Sequence, residues 1–136
     1  YALASADVIA ALAAVRQPYS VSVLAQAAAL AVIEHRFEFQ HSIDRIRRER
    51  QRTLLALASL SDMGLRVWPS SANFLLVRLP HAAEARARLR DEFSILVRDF
   101  SDAPGLTDCL RITIGKPDEN DAVIGAITTI LGGESQ

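Results

Sequence analysis

Cysteine, methionine, tryptophan and lysine each occur once in these 136 residues. A single cysteine, Cys109, allows no disulfide within the chain and no cysteine-based metal site, and it suits a reducing cytoplasm. The histidines do not make up for it. His35 and His41 lack the i, i+4 spacing of a helical metal pair and no carboxylate completes a set, so no metal is expected. No apolar run is long enough to span a bilayer: the most apolar stretch, Val21 to Ile33, is broken by Ser22 and Gln26. Tyr1 to Val15 has neither the basic start nor the small-residue end of a secretory leader. There is no glycine-rich phosphate loop and no serine in a nucleophile-elbow context. A formal net charge of −1 leaves no electrostatic footprint for nucleic acid. Arg45, Arg47, Arg48, Arg50 and Arg52 do cluster, but Asp44 and Glu49 are interleaved with them. That pattern reads as a solvated helix face rather than a phosphate patch.

What is present is a globular composition, half of it hydrophobic, with helical periods first and strand periods after them. Val8, Ile9, Leu12 and Val15 have helical spacing, which predicts a helix over Ala6–Val15 with Ser5 as N-cap and Pro18 beyond it. A second helix, about Val23–Phe37 and capped by Ser20 or Ser22, is apolar almost all round and should be buried on most sides. A third, about His41–Leu60, carries the stripe Ile43, Ile46, Leu54, Leu57 and Leu60 and ends at Gly64. Then the period falls to two. Leu65–Trp68 and Asn73–Leu79 read as strands around the turn Pro69-Ser70-Ser71. Ala82–Phe93 is a helix behind Pro80 or His81, Ile95–Arg98 a short strand, and Ser101–Asp108 a loop holding Pro104 and Gly105. Leu110–Ile114 alternates as a strand. Pro117 opens the last helix, with Asp118 and Glu119 in its first turn. Ala122, Val123, Ala126, Ile127, Ile130 and Leu131 make its apolar face, and Gly132-Gly133 stops it. The fold class is α+β: N-terminal helices, then a β-β-α-β-β-α unit of a few strands with helices on one face.

Arginine carries the chemistry. Arg111 sits on an alternating strand, with Leu110, Ile112 and Ile114 on one face and Cys109, Arg111 and Thr113 on the other. A guanidinium cannot give up its charge, so half-buried it needs an anion: either a salt bridge across the sheet or a bidentate clamp on a substrate carboxylate. Arg98 ends its own short strand, and its neighbour Asp99 offers a structural partner. Arg78 is a weaker candidate of the same kind, and Asn73 stands at the start of the strand that Arg78 ends. These groups bind anions; none of them is a catalytic group.

The stretch Leu96-Val97-Arg98-Asp99-Phe100, a proline-glycine loop, and then Asp108-Cys109-Leu110-Arg111-Ile112-Thr113-Ile114-Gly115-Lys116-Pro117 resembles the C-terminal signature of the histidinol-phosphate aminotransferases. Trp68-Pro69-Ser70-Ser71-Ala72-Asn73-Phe74 is similar to the start of their small-domain strand, and Val15-Arg16-Gln17-Pro18-Tyr19-Ser20 to the segment joining their two domains. The resemblance covers the whole chain. It implies a fold-type I architecture: residues 1–20 as the tail of a cofactor-binding domain, 21–61 as interdomain helices and 62–136 as the small domain. It implies a homodimer that uses pyridoxal 5′-phosphate to exchange an amino group between histidinol phosphate and 2-oxoglutarate in histidine biosynthesis. On that likeness Arg111 clamps the substrate α-carboxylate, of donor and acceptor alike, Arg98 recognises the far anionic end, and Asn73 lies near the active site. The family's cofactor-bearing lysine falls before Tyr1, and Lys116 falls at the turn into the last helix. These residues alone would therefore form an inactive C-terminal piece without cofactor-binding groups. Two other readings remain: the small domain of another class I/II aminotransferase or of a threonine-phosphate decarboxylase-like enzyme, and a stand-alone α+β regulatory domain whose arginines hold a small anion.

Overall fold

The computed structural model describes residues 2–133. The chain divides into two compact units between Gln40 and His41. The first holds α1 (Ala6–Val15) and α2 (Val23–Glu34). Ser22 caps α2, its hydroxyl accepting from the Ala25 N–H at 3.1 Å, whereas Ser5 caps α1 in position only. The second helix ends at Glu34, before Phe37: after His35 the bonds tighten to i→i−3 turns, the Arg36 N–H donating to the Ile33 carbonyl at 3.4 Å and the Glu38 N–H to the His35 carbonyl at 2.9 Å. Contrary to the expectation from its composition, α2 has no buried residue: Leu24 is 83% and Leu30 61% exposed. Its apolar surface finds no cover among the described residues.

The second unit is built on a four-stranded antiparallel sheet. Its strands are β1 (Arg66–Val67), β2 (Phe74–Arg78), β3 (Arg98–Asp99) and β4 (Cys109–Thr113), in the order β1-β2-β4-β3. Helices α3 (Gln40–Ala58), α4 (Ala82–Phe93) and α5 (Pro117–Gly133) supply the rest of its core. Alternation decides the faces. Leu75, Val77, Leu110 and Ile112 point one way and are buried with Leu57 of α3, Leu89 of α4 and Ile127, Ile130 and Leu131 of α5. The α+β reading with helices on one face of the sheet therefore stands.

Several details differ from the sequence reading. The third strand starts at Arg98 rather than Ile95. Ser94 turns left-handed at φ 58°, and the Ile95 N–H bonds back to the Leu89 carbonyl at 2.8 Å, so residues leaving α4 have their donors engaged before the sheet begins. Gly132 and Gly133 lie inside α5 rather than beyond it. And Ile43, placed on the buried stripe of α3, is 41% exposed, while Thr53 and Leu57 are the residues that α3 buries. Gly64 is left-handed as expected, at φ 84°, but it closes a separate 3-10 turn, Ser61–Met63, rather than α3, which ends at Ala58.

A polar latch fixes the far end of the Arg111 strand. Asn120, buried in the first turns of α5, accepts from the Gly115 N–H at 2.9 Å and donates to the Gly115 carbonyl and to Glu49 Oε2 at 2.9 Å. Glu49 is held in turn by Arg52, which also pairs with Asp121 and donates to the Pro117 carbonyl at 3.2 Å. Hydrogen bonds from Arg52 first, and from Asn120, hold the Glu49 carboxyl below the usual glutamate range. Glu119 reaches back to the Lys116 N–H at 2.8 Å, as in a capping box. A Cβ at Gly115 would displace that carboxylate from its place over the Lys116 N–H. Part of the arginine run on α3 thus ties the unit together: Arg50 also donates to the Ala72 carbonyl at 2.8 Å, bracing the turn before β2.

Candidate functional site

The sheet face turned away from the helices carries the arginines. Register puts Arg66, Arg78 and Cys109 in one cross-strand row and Leu76, Arg111 and Arg98 in the next. Arg98 and Arg111 are thus direct neighbours on adjacent strands, and like charges held so close call for a shared anion. Cys109 shares this face yet is buried, its Sγ 3.6 Å from the Thr107 carbonyl.

Arg111 is half-buried, and its Nε is fully buried with no hydrogen-bond partner. Phe74 and Phe100 flank the guanidinium, their ring centres 5.4 and 5.7 Å from its central carbon. With Leu76 and Leu106 these rings wall a pocket of about 240 Å³ that opens onto Arg111. No carboxylate among the described residues pairs with this guanidinium, so the cross-sheet salt bridge that sequence allowed is not made. A buried, unsatisfied cationic donor is costly to maintain. A planar anion arriving through the pocket would satisfy it.

The partner expected for Arg98 is also turned elsewhere. Adjacent residues of a strand face opposite ways, so Asp99 lies on the core side of the sheet. Hydrogen bonding by Ser101, whose N–H donates to Asp99 Oδ1 at 2.8 Å, lowers the pKa of that carboxyl. Arg98 is exposed and makes no ion pair among the described residues. Asn73 is not brought to this pocket. It stands just before β2, its carbonyl accepting from the Ile114 N–H at 2.8 Å, and it borders a separate depression with Arg47 and Arg50. Lys116 is exposed at the start of α5. The pocket walls Phe74, Phe100 and Leu106 were not singled out in the sequence, although Phe74 and Leu76 alternate on β2 as Cys109 and Arg111 do on β4.

Residues 1–127 match the family model of the class I and II aminotransferases. The chain belongs to that family. Histidinol-phosphate aminotransferase of Roseiflexus castenholzii is 42% identical over 96% of the chain. The chain spans about a third of that relative's length, 35%. Two solved structures extend the likeness. L-threonine-O-3-phosphate decarboxylase from Porphyromonas gingivalis superposes with a TM-score of 0.79 at 33% identity, covering 96% of this chain and 40% of that one. Histidinol-phosphate aminotransferase from Sinorhizobium meliloti, solved with pyridoxal 5′-phosphate, gives 0.73 at 26% identity, covering 92% and 34%. No helix among the described residues is long and apolar enough to cross a membrane.

Proposed function

We propose that this chain is the substrate-anion side of a pyridoxal-phosphate-dependent transaminase that exchanges an amino group between histidinol phosphate and 2-oxoglutarate. The observation that carries it is the orphaned, buried Nε of Arg111 at the mouth of an aromatic pocket, with Arg98 beside it across the strand pair. The family and the histidinol-phosphate aminotransferase relatives support the reaction class. Residues 1–20, 21–61 and 62–136 would be the cofactor-domain tail, the interdomain helices and the small domain, in a homodimer whose other parts cover the apolar surface of α2.

On this reading the groups that would hold the cofactor lie outside these residues; the one lysine is exposed at the α5 turn and does not line the pocket. When bound, the cofactor supplies the electron sink on which the amino group moves. This chain binds and orients. Histidinol phosphate has no α-carboxylate: a phosphate ester on a methylene stands where an amino acid carries it. The expectation that Arg111 grips an α-carboxylate in donor and acceptor alike therefore fails on the donor's own chemistry. Arg111 and Arg98 together suit both partners better. As a pair of forks on one row they would share the phosphate oxygens of the donor or the carboxylates of the acceptor. Phe74 and Phe100 keep the Arg111 fork in plane and keep water from it. Asn73, outside this pocket, would act on the site only through the start of β2.

The test is turnover by the full-length protein. Histidinol phosphate with 2-oxoglutarate should give glutamate, and Arg111→Lys should depress both half-reactions. Release of carbon dioxide from threonine phosphate in preference to transamination would move the assignment to the decarboxylase branch.

A further inference from the structure

We propose that Arg78 is a positioning residue that shapes the Arg111 pocket by holding Leu106 in place. The inference rests on the reading of that pocket as an anion site. Arg78 stands one row from Arg111 on the same sheet face, yet its guanidinium is not free to clamp a ligand. Its Nε donates to the Thr107 carbonyl and its Nη2 to the Gly105 carbonyl, both at 3.0 Å. Those two carbonyls bracket a single residue, Leu106, which is a wall of the pocket. One planar fork therefore fixes the backbone on both sides of one side chain.

The fork is itself held. The Trp68 ring centre lies 5.5 Å from the central carbon of Arg78, and Arg66 lies 4.9 Å from the same ring. The loop needs this support. It turns through Gly105 at φ 78° and Asp108 at φ 57°, and its own backbone bonds run from Leu106 to Ala103 and from Cys109 to Leu106. Apart from the weak approach of the Cys109 thiol to Thr107, the carbonyls either side of Leu106 have Arg78 as their partner. With Leu106 seated, the pocket in front of Arg111 has apolar walls, and the attraction between the guanidinium and an anion is screened less by water. With Leu106 adrift, water reaches the same cation and the anion binds more weakly. Lysine cannot replace the fork, because a single ammonium does not span two carbonyls in one plane.

In the full-length enzyme, kcat and KM for 2-oxoglutarate are measured for the parent, Arg78→Lys, Leu106→Ala and the double variant, with Arg111→Lys as reference and a melting temperature for each. Arg78→Lys and Leu106→Ala should each raise KM about 3- to 30-fold while kcat changes far less, and the double variant should be no worse than the poorer single one. Where Arg78→Lys melts below the assay temperature, Arg78→Gln takes its place in the same cycle and must show the same coupling to Leu106. A parental KM in the Arg78 variant, or losses that simply multiply in the double variant, would overturn the inference. If instead Arg111→Lys binds 2-oxoglutarate as the parent does, the anion-site reading fails, and this inference with it.

Discussion

Arg111 can be judged by one substitution. Arg111→Lys keeps the charge and loses the fork, so a desolvated pair should weaken by about 2–4 kcal/mol, or roughly 30- to 1000-fold in kcat/KM, for 2-oxoglutarate. A loss within a few-fold would make Arg111 structural. Arg98 asks for a comparison of substrates. Arg98→Ala should cost histidinol phosphate and 2-oxoglutarate about 1.5–3 kcal/mol each, the scale of a hydrogen bond to a charged group, and spare phenylalanine, which presents one carboxylate. Equal losses on all three substrates, with a lowered melting temperature, would remove Arg98 from the site. Alternation alone placed Arg111 opposite Ile112 and Leu110. It could not fix the pairing of Arg111 with Arg98: their strands are consecutive and antiparallel, and which residues stand opposite depends on how the long loop between them closes. Proximity in sequence made Asp99 the natural partner of Arg98, and the pleat of the strand defeats exactly that kind of neighbour.

Among the elements, the latch between α3 and α5 makes the clearest prediction. Asn120→Ala strips both hydrogen bonds with Gly115 and the one that Asn120 donates to Glu49, all within a part-buried site, and should lower unfolding free energy by about 1–3 kcal/mol in denaturant titration. An unchanged midpoint would mean that the latch contributes nothing. Its pH dependence has a definite sign. Glu49 has a lowered pKa in the folded state, so its contribution is complete above the pKa of an unfolded glutamate, about 4.3, and is lost as pH falls through that value towards the lower folded one. Glu49→Gln should therefore flatten the acid side of the stability profile and leave the alkaline side alone. Profiles that stay parallel below pH 5 or so would argue against it. The helices were legible because each has a long apolar period with caps and breakers at its ends. The strand at Arg98 was legible only in part: the sequence put it over Ile95–Arg98, whereas the sheet begins at Arg98 because α4 ends in a left-handed turn that uses the preceding donors.

At the scale of the whole molecule, the lone lysine and the uncovered helices matter most. Covalent chemistry with pyridoxal phosphate needs a positioned amine, and Lys116 is exposed at the start of α5. The 136 residues by themselves should form no stoichiometric adduct on borohydride treatment and show no turnover. A single modified lysine that supports transamination would contradict this. Val23, Leu24, Leu30 and Ile33 are each at least 61% exposed, an apolar surface that usually finds another. Light scattering on these residues alone should report self-association that grows with concentration, and a monomer at every dilution would count against it.

The sequence by itself determined the class of each long element, the inward and outward faces of the Arg111 strand, and the family, because periodicity, caps and a long contiguous signature are all local properties of the chain. Only the tertiary structure decided which arginines meet. The closeness of Arg98 and Arg111 in sequence allowed them one cavity, but register is what sets Arg98 directly against Arg111, turns Asp99 to the helix side of the sheet, and lays Arg78 under the loop that carries Leu106. No local preference encodes contacts that exist only once the sheet has closed its register.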